Sequence, residues 1–446
     1  MTKNSGIKVG FVSHGCPKNL VDTEWMMGLL KNDGYNITLD ENDCDIVVVN
    51  TCAFINDAEK ESVQSILRLV NKGKQVVVAG CLAQKYSEQL KEIIPEIKGI
   101  IGVSDISKIS DAVSKITKKQ DYINKICDIK TYNFPQKNVE RQLSTIGASA
   151  YLKISEGCNC ECGYCIIPKL RGKQVSRPME DIIEEAKFLV SRGIVEIILI
   201  AQDTTAYGSD LYGCLKLPEL LEKLNNIKDL QWIRVMYAYP SHVTDELLYA
   251  MQKCKKVVKY LDLPLQHSNK NVLISMRRPA FDYEKLIKKI REIIPQIALR
   301  STMIVGYPGE TEEQFEDLLN FIRHVKFDKL GVFEYCREKG TYSYNLKGQI
   351  SKKIKHERYK KLMEAQQLIS KQKNKSRIGD IIECLIVAET DDNVLVMRSQ
   401  YDAPEIDGIV YAKKILSCVP GDIVYVKITD VDEYDLFGVV IKNGNE

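Results

Sequence analysis

The chain has 446 residues, which at roughly 150 residues per domain allows about three folding units and excludes a small disulfide-stapled scaffold. Its 44% hydrophobic and 28% charged residues are ordinary for a globular protein, so neither wholesale disorder nor a fibrous repeat is expected. A formal charge of +3, from 63 Lys/Arg against 60 Asp/Glu, is too small for a chain that coats nucleic acid, and any electrostatic signal must be regional.

The opening MTKNSGIKVGFVSHGC shows no apolar leader ending in small residues, and no later run approaches membrane-spanning length. The expectation is a cytoplasmic protein with no membrane partner. Fourteen cysteines in a reducing compartment then point to metal or thiol chemistry rather than disulfides.

Residues 7–120 alternate short apolar runs with amphipathic segments. IKVGFVS precedes a helix expected from Pro17 to Lys31; DIVVVN precedes one from Asp57 to Asn71; KQVVVAG precedes one from Gln84 to Ile93; GIIGVSD follows. The runs are continuously apolar and Val-rich, the pattern of strands covered by helices on both faces, so this is read as a βαβ domain with a parallel sheet over residues 1–127. The polar, aperiodic stretch 128–147, with Pro135, is read as a linker.

Alternation resumes at Tyr151 with YLKIS, VEIILIAQD, QWIRVMYA, VVKYLDLPLQ, IALRSTMIVGYPGE and FDKLGVFEY, separated by helical segments such as Met179 to Ser191, Thr244 to Lys253 and Thr311 to Val325. Six strand–helix units are fewer than the eight of a closed barrel, so residues 148–375 are expected to form an open partial (β/α)6 barrel with its active face at the strands' carboxyl ends. Residues 347–377 hold 11 Lys/Arg against two acids at helical spacing, read as a solvated helix face rather than a nucleic-acid patch. From 376 onward DIIECLIVAE, DNVLVMRS, GIVYAKK, DIVYVKITD and DLFGVVI are short strands with turn signals, the pattern of a small five-stranded all-β barrel. From Ile378 on, that barrel carries 14 Asp/Glu against 5 Lys/Arg, a net of −9.

Two groups of cysteines stand out. In EGCNCECGYC, Cys158, Cys162 and Cys165 have the spacing C-x-x-x-C-x-x-C. Three thiolates on one short loop can ligate three irons of a cubane cluster and leave the fourth open for a ligand. A zinc knuckle or buried free thiols are the bland alternatives, but zinc sites usually offer four ligands in pairs or with His, and no His lies nearby. Cys160 is treated as a bystander within the loop. Cys16, Cys52 and Cys81 each follow an apolar run of the first domain. A parallel sheet delivers all three to one crevice, which implies a second three-thiolate site. Cys44, Cys127, Cys214, Cys254, Cys336, Cys384 and Cys418 share neither pattern and are read as ordinary thiols.

The C-x-x-x-C-x-x-C loop, with Tyr164 before its last cysteine, resembles the radical S-adenosylmethionine (SAM) superfamily. SHGCPKNLVDTE, VVNTCAFI and VAGCLAQKY ahead of it, with a β barrel behind, resemble the methylthiotransferase family over essentially the whole chain. CPKNLVDTE, YPSHVTDELL, LDLPLQHSNKNVLISMRRP, GYPGETEEQF and APEIDG resemble the branch that acts on ribosomal protein uS12. Cys160 and Val175 depart from the usual residues at their positions without touching a ligand.

The resemblance implies an α/β architecture: an amino-terminal methylthiotransferase domain, a radical SAM partial barrel and a carboxyl-terminal TRAM barrel. It implies two 4Fe-4S clusters, one on Cys158, Cys162 and Cys165 that cleaves SAM to a radical, and an auxiliary one on Cys16, Cys52 and Cys81 that holds the sulfur to be inserted, the two facing each other. A methylthio group is then placed on the β-carbon of an aspartate of uS12, with two SAM consumed per turnover. An electron donor such as flavodoxin or ferredoxin and a sulfur source are the further partners.

Other positions are weaker. Tyr164 is expected against adenine, and Gly306, Pro308 and Gly309 near SAM, although GYPGE also reads as a tight turn before a helix capped by Thr311. Gln202 and Asp203 face the ribose or act as caps; His267 is read as an inner hydrogen-bonded residue, and Arg171 and Arg177 either grip a carboxylate or, by default, are solvated charges. A transfer-RNA methylthiotransferase shares both clusters, but its polyanionic substrate calls for a basic barrel, whereas −9 suits a basic ribosomal protein. A non-catalytic iron–sulfur carrier is the third reading, and SAM cleavage would exclude it.

Overall fold

A computed structural model of the chain describes residues 6–53, 56–119, 122–126, 129, 132–135, 140–144, 147–414 and 418–441. Cys127 and much of the segment 128–147 lie outside them. The chain forms two compact units: Met1–Ile146 with Lys153–Glu161 and Cys165–Arg177, and Gly147–Leu152 with Cys162–Tyr164 and Pro178–Glu446.

The first unit is built on six strands, β1 (Lys8–Ser13), β2 (Asn36–Thr38), β3 (Ile46–Thr51), β4 (Gln75–Gly80), β5 (Gly99–Ile101) and β6 (Ile123–Lys125), in the order β2-β1-β3-β4-β5-β6. Every pairing is parallel. All of Ile46–Thr51 is buried, as the uninterrupted apolar run requires of a central strand. Helices Pro17–Asn32, Asn56–Asn71 and Cys81–Ile93 follow β1, β3 and β4. The last begins three residues before its expected start, because Gly80, at φ 90°, turns the chain straight from strand into helix. Edge strands β2 and β6 carry too few apolar residues to announce themselves in the sequence, whereas the helix Ile109–Thr117, absent from the sequence-based expectation, buries Ile109, Ala112, Val113 and Ile116 at helical spacing.

Parts of the expected linker pack firmly. Tyr132 is buried, and the Phe134 ring stands edge-on to Tyr132 and Trp25, with centroids 4.8 and 6.1 Å apart. Ile166 and Leu170, just after the C-x-x-x-C-x-x-C loop, join the same apolar core.

In the other sheet β7 (Ser149–Lys153) is followed, after the small antiparallel pair β8 (Ser155–Glu156) and β9 (Val175–Ser176), by β10 (Glu196–Ile200), β11 (Trp232–Val235), β12 (Val257–Asp262), β13 (Ala298–Val305) and β14 (Lys329–Glu334). Its order, β14-β13-β12-β11-β10-β7, is that of an open six-stranded sheet with helices between consecutive strands, a partial barrel. Helix Glu312–Val325 starts at a capping box in which Thr311 and Gln314 satisfy each other's backbone N–H groups. The basic helix Lys352–Lys375 buries Leu362, Ala365 and Ile369 against that helix and β14, leaving most of its lysines on the outer face. Five strands, β15 (Ile381–Glu389), β16 (Val394–Ser399), β17 (Val410–Lys413), β18 (Ile423–Val431) and β19 (Leu436–Ile441), close into a barrel in the order β15-β16-β17-β19-β18. Among the described residues, no helix is long and apolar enough to cross a membrane.

Candidate metal centres

Because β1, β3 and β4 are adjacent and parallel, Cys16, Cys52 and Cys81 emerge from one edge of the sheet. Cys16 caps the helix that starts at Pro17, and Cys81 is the first residue of its own helix. Cys52 and Cys81 are buried, and Cys16 is half-buried. The approach is tight: a Cβ on Gly15, at φ 91°, would lie 2.8 Å from Cys52 Sγ, and one on Gly80 would lie 2.3 Å from Asn50 Oδ1.

Asn19 organises this edge. Its Nδ2 donates to the carbonyls of His14 at 3.0 Å and Thr51 at 2.9 Å, while Asn50 Nδ2 donates to the Asn19 carbonyl at 2.8 Å. Behind it lies a buried ionic cluster. Arg171 reaches Asn19 Oδ1, Glu156 Oε1 at 2.8 Å and Asp22 Oδ2 at 3.4 Å; Lys153 reaches Glu156 Oε2 at 2.6 Å and also Asp22. Burial alone would raise the Glu156 carboxyl, but Arg171 and Lys153 outweigh it and hold it at about 2. For Asp22 burial wins, and its carboxyl is raised.

The same guanidinium acts on the thiols. Burial would raise Cys16, yet Lys18, Arg171 and backbone N–H groups bring it below its ordinary value. Burial pushes Cys81 up to about 11, with Arg171 opposing and the neighbouring Cys16 and Cys52 reinforcing. Arg171 thus brings a positive charge to bear on both Cys16 and Cys81.

The second trio sits on the loop between β8 and β9. Gly157, at φ 77°, lets the chain turn where a Cβ would meet the Lys173 carbonyl oxygen at 2.1 Å, and Cys158 N–H donates to the Gly172 carbonyl at 3.1 Å. Cys160 contributes through its backbone, its N–H donating to Cys158 Sγ at 3.3 Å. Gly163 is pinned on both sides, with its N–H on the Met276 carbonyl at 2.7 Å and its carbonyl accepting from Ser343 N–H at 2.8 Å. Tyr164 packs against Val272, Met276, Tyr307 and Tyr335.

Arg278, which sequence reasoning left without a role, is buried beside this trio. It donates to Cys162 Sγ at 3.6 Å, Tyr164 Oη at 3.4 Å and the Pro264 carbonyl at 2.6 Å. The signal available was the Arg277–Arg278 pair within MRRP, on a turn rather than a helix face.

The remaining candidates divide. Gly306 and Gly309 both have positive φ; Gly306 N–H donates to Glu310 Oε2 at 2.8 Å, and its missing Cβ makes room for Lys355, whose Cγ would stand 2.3 Å from it. Pro308 is buried in the same turn. Gln202 is half-buried at the end of β10; Asp203 caps the following turn, accepting from Thr205 Oγ1 at 2.6 Å and Ala206 N–H at 3.1 Å. His267 is an inner residue, its Nδ1 accepting from Asn269 N–H at 2.9 Å, and burial with Arg358 nearby lowers it to about 3.

Arg171 and Arg177 correct the expectation of solvated charge. Both are buried, Arg171 against two carboxylates and Arg177 over the Trp25 and Phe134 rings with Nη1 on the Lys153 carbonyl at 2.9 Å. Matching acids and aromatic faces make this interior hospitable to guanidinium.

Both trios offer thiols and nearby positive charge, the donor set that thiolate-bound iron clusters use. Among the described residues no three His, Cys, Asp or Glu groups are drawn together closely enough to hold a single metal ion.

Three family models match in series: "Uncharacterized protein family UPF0004" over residues 8–102, the radical SAM superfamily over 152–322 and the TRAM domain over 378–441. Solved structures of the radical SAM methyltransferase TsrM from Kitasatospora setae share the fold at 12–14% identity: one, with cobalamin and a [4Fe-4S] cluster bound, covers 93% of this chain and 83% of that one with a TM-score of 0.55, and another covers 73% and 72% with 0.54. The chain is 47% identical over 440 residues to "Ribosomal protein uS12 methylthiotransferase RimO" of Caldanaerobacter subterraneus subsp. tengcongensis, covering 96% of this chain and 99% of the relative. Its identity to the protein of that name from Clostridioides difficile is 45%, covering 98% and 99%. The chain belongs to the ribosomal protein uS12 methylthiotransferase family.

Proposed function

We propose that this chain is a radical SAM methylthiotransferase that inserts a methylthio group at the β-carbon of an aspartate of ribosomal protein uS12. The observation that carries the reading is the delivery of Cys16, Cys52 and Cys81 to adjacent strand ends, in a chain 47% identical to a protein named for that activity.

Cys158, Cys162 and Cys165 hold one 4Fe-4S cluster, and Cys16, Cys52 and Cys81 hold the other. When bound, the first cluster and SAM supply a radical that removes hydrogen from a carbon with no acidic proton, a task beyond acid–base side chains. The protein's part is to hold and shield. Arg171 and Asn19 keep the auxiliary edge in place, Arg278 fixes Cys162 and Tyr164, and Tyr164, Gly306, Pro308, Gly309 and Gln202 are the SAM contacts. An electron donor such as flavodoxin or ferredoxin and a sulfur source complete the system, which works in the cytoplasm where uS12 is made.

The acidic barrel supports a basic protein substrate over transfer RNA. Mass spectrometry of uS12 and of transfer RNA from a deletion strain, before and after complementation with this chain, tests the choice. Restoration of the methylthio group on uS12 is expected; restoration on RNA alone would reverse it.

A further inference from the structure

Gly163 is held on both sides by residues whose own neighbours face solvent. Its N–H donates to the Met276 carbonyl at 2.7 Å and its carbonyl accepts from Ser343 N–H at 2.8 Å. Arg277 follows Met276, Tyr342 precedes Ser343, and both are exposed. The Tyr342 side chain is 45% exposed, yet its Cδ1 would stand only 3.1 Å from a Cβ on Gly163. The missing side chain thus lets an exposed aromatic ring lie on the backbone between Cys162 and Tyr164. Arg277 covers the same ring, with its guanidinium 3.8 Å from the centroid. It does so at φ 54°, the left-handed conformation that glycine ordinarily supplies after a helix, here Lys270–Ser275, so a cation is kept where the backbone prefers none.

The segment after β14 continues the pattern. Arg337 lies 4.6 Å from the Tyr344 ring centroid and donates to the Tyr344 carbonyl at 2.8 Å. Lys339 and Lys347 are exposed, whereas Glu338, the one acid of residues 337–347, is buried. Among the described residues none of Arg277, Arg337, Lys339 and Lys347 is paired with a carboxylate. These uncompensated cations flank an exposed tyrosine that touches the loop carrying Cys162.

The cluster read onto this loop must be reduced from outside, and charge decides what the surface receives. A basic ribosomal protein is repelled by it. An acidic protein is steered toward it, and a patch of this modest size suits the small, short-lived contacts of electron transfer. We propose that Arg277, Arg337, Lys339, Tyr342 and Lys347 form the docking surface for a small acidic one-electron carrier protein. This rests on the reading of Cys158, Cys162 and Cys165 as ligands of the cluster that cleaves SAM. In the docked pair one electron leaves the carrier, which is oxidised, and enters the cluster, which is reduced; no bond forms or breaks.

The test uses reconstituted enzyme with two acidic carriers as probes, flavodoxin and ferredoxin. Dissociation constants are measured at low and high salt for wild type, Lys339→Glu/Lys347→Glu, Arg277→Gln and Arg277→Lys. SAM cleavage is then driven either by the reduced carrier or by dithionite, a small reductant that needs no docking surface. Iron content and circular dichroism check that each variant is loaded and folded. We expect wild type to bind at least one carrier, more tightly at low salt, and Lys339→Glu/Lys347→Glu to bind it at least ~10-fold more weakly through slower association. Arg277→Gln should bind more weakly than Arg277→Lys, and dithionite-driven cleavage by the lysine variant should match wild type. Failure of both carriers to bind wild type, or binding untouched by the charge reversals, would overturn the docking surface alone. Binding of a single-stranded RNA that is lost in the lysine variant while carrier binding persists would assign the surface to RNA and overturn it too. A wild-type enzyme that cleaves no SAM even with dithionite would overturn the reading of the cluster and the docking surface with it.

Discussion

Arg171 Nη2 donates to Asn19 Oδ1, and the amide of Asn19 in turn donates to the carbonyls of His14 and Thr51. His14 lies two residues before Cys16, and Thr51 directly precedes Cys52. One buried amide therefore ties together the backbone approaches to two of the three auxiliary thiols, and one guanidinium holds that amide in place.

Asn19→Ala removes these bonds, each contributing about 1 kcal/mol net. The auxiliary edge should loosen, with iron after reconstitution falling from roughly eight toward roughly four per chain. Iron analysis decides it; full loading in the variant would show that Asn19 does not organise the site.

Arg171→Met takes one of their cations from the buried carboxylates Glu156 and Asp22, which keep their pairing with Lys153. Breaking a buried pair from one side costs about 3–5 kcal/mol. Urea denaturation should show a loss of that order, and adding Glu156→Gln should recover part of it, since the uncompensated charge is then gone. Additive losses in the double variant would mean that the two groups do not interact.

The contrast between the two trios shows how much was legible in the chain itself. Cys158, Cys162 and Cys165 were recognisable as candidates because their spacing is local, and Cys16, Cys52 and Cys81 because each follows an apolar run that reads as a covered strand. Asn19, Arg171 and Arg278 were not. Arg171 meets Asn19 across 152 positions and Arg278 meets Cys162 across 116, so their roles exist only once the fold has closed. Arg171 and Arg177 were misread as solvated because the acids and aromatic rings that make their burial tolerable come from distant segments. Strands β2 and β6 escaped notice because three-residue edge strands bury too little to leave a periodic signature.

Glu196 supplies the clearest pH dependence. It accepts from Arg234 and Ser149 and pairs with Arg398 of the carboxyl-terminal barrel; burial would raise its carboxyl, but Arg398 and Arg234 hold it at about 2, against an ordinary 4.5. A depressed carboxyl stabilises the fold above its unfolded value, and this stabilisation, about 3 kcal/mol, is lost as the pH falls from about 4.5 toward 2. Glu196→Gln should therefore lower stability at pH 7 and flatten the acid limb of the stability profile, followed by circular dichroism. An unchanged acid limb would assign it to other groups.

Arg278 touches Cys162 Sγ, so its charge bears on the reduction of any cluster held there. Arg278→Gln should make the midpoint potential of that cluster more negative by about 65–90 mV, the one-electron equivalent of losing a charged hydrogen bond of about 1.5–2 kcal/mol. An electron-paramagnetic-resonance titration of enzyme lacking the auxiliary cysteines reads this directly. A shift below about 20 mV would leave Arg278 a packing residue only.

The division of labour between the two cysteine trios is tested most directly by the mass of uS12 after incubation with Cys16→Ala/Cys52→Ala/Cys81→Ala enzyme whose remaining iron has been counted. The account predicts roughly four irons per chain and no methylthio addition to uS12. A methylthiolated uS12 from that enzyme would contradict it.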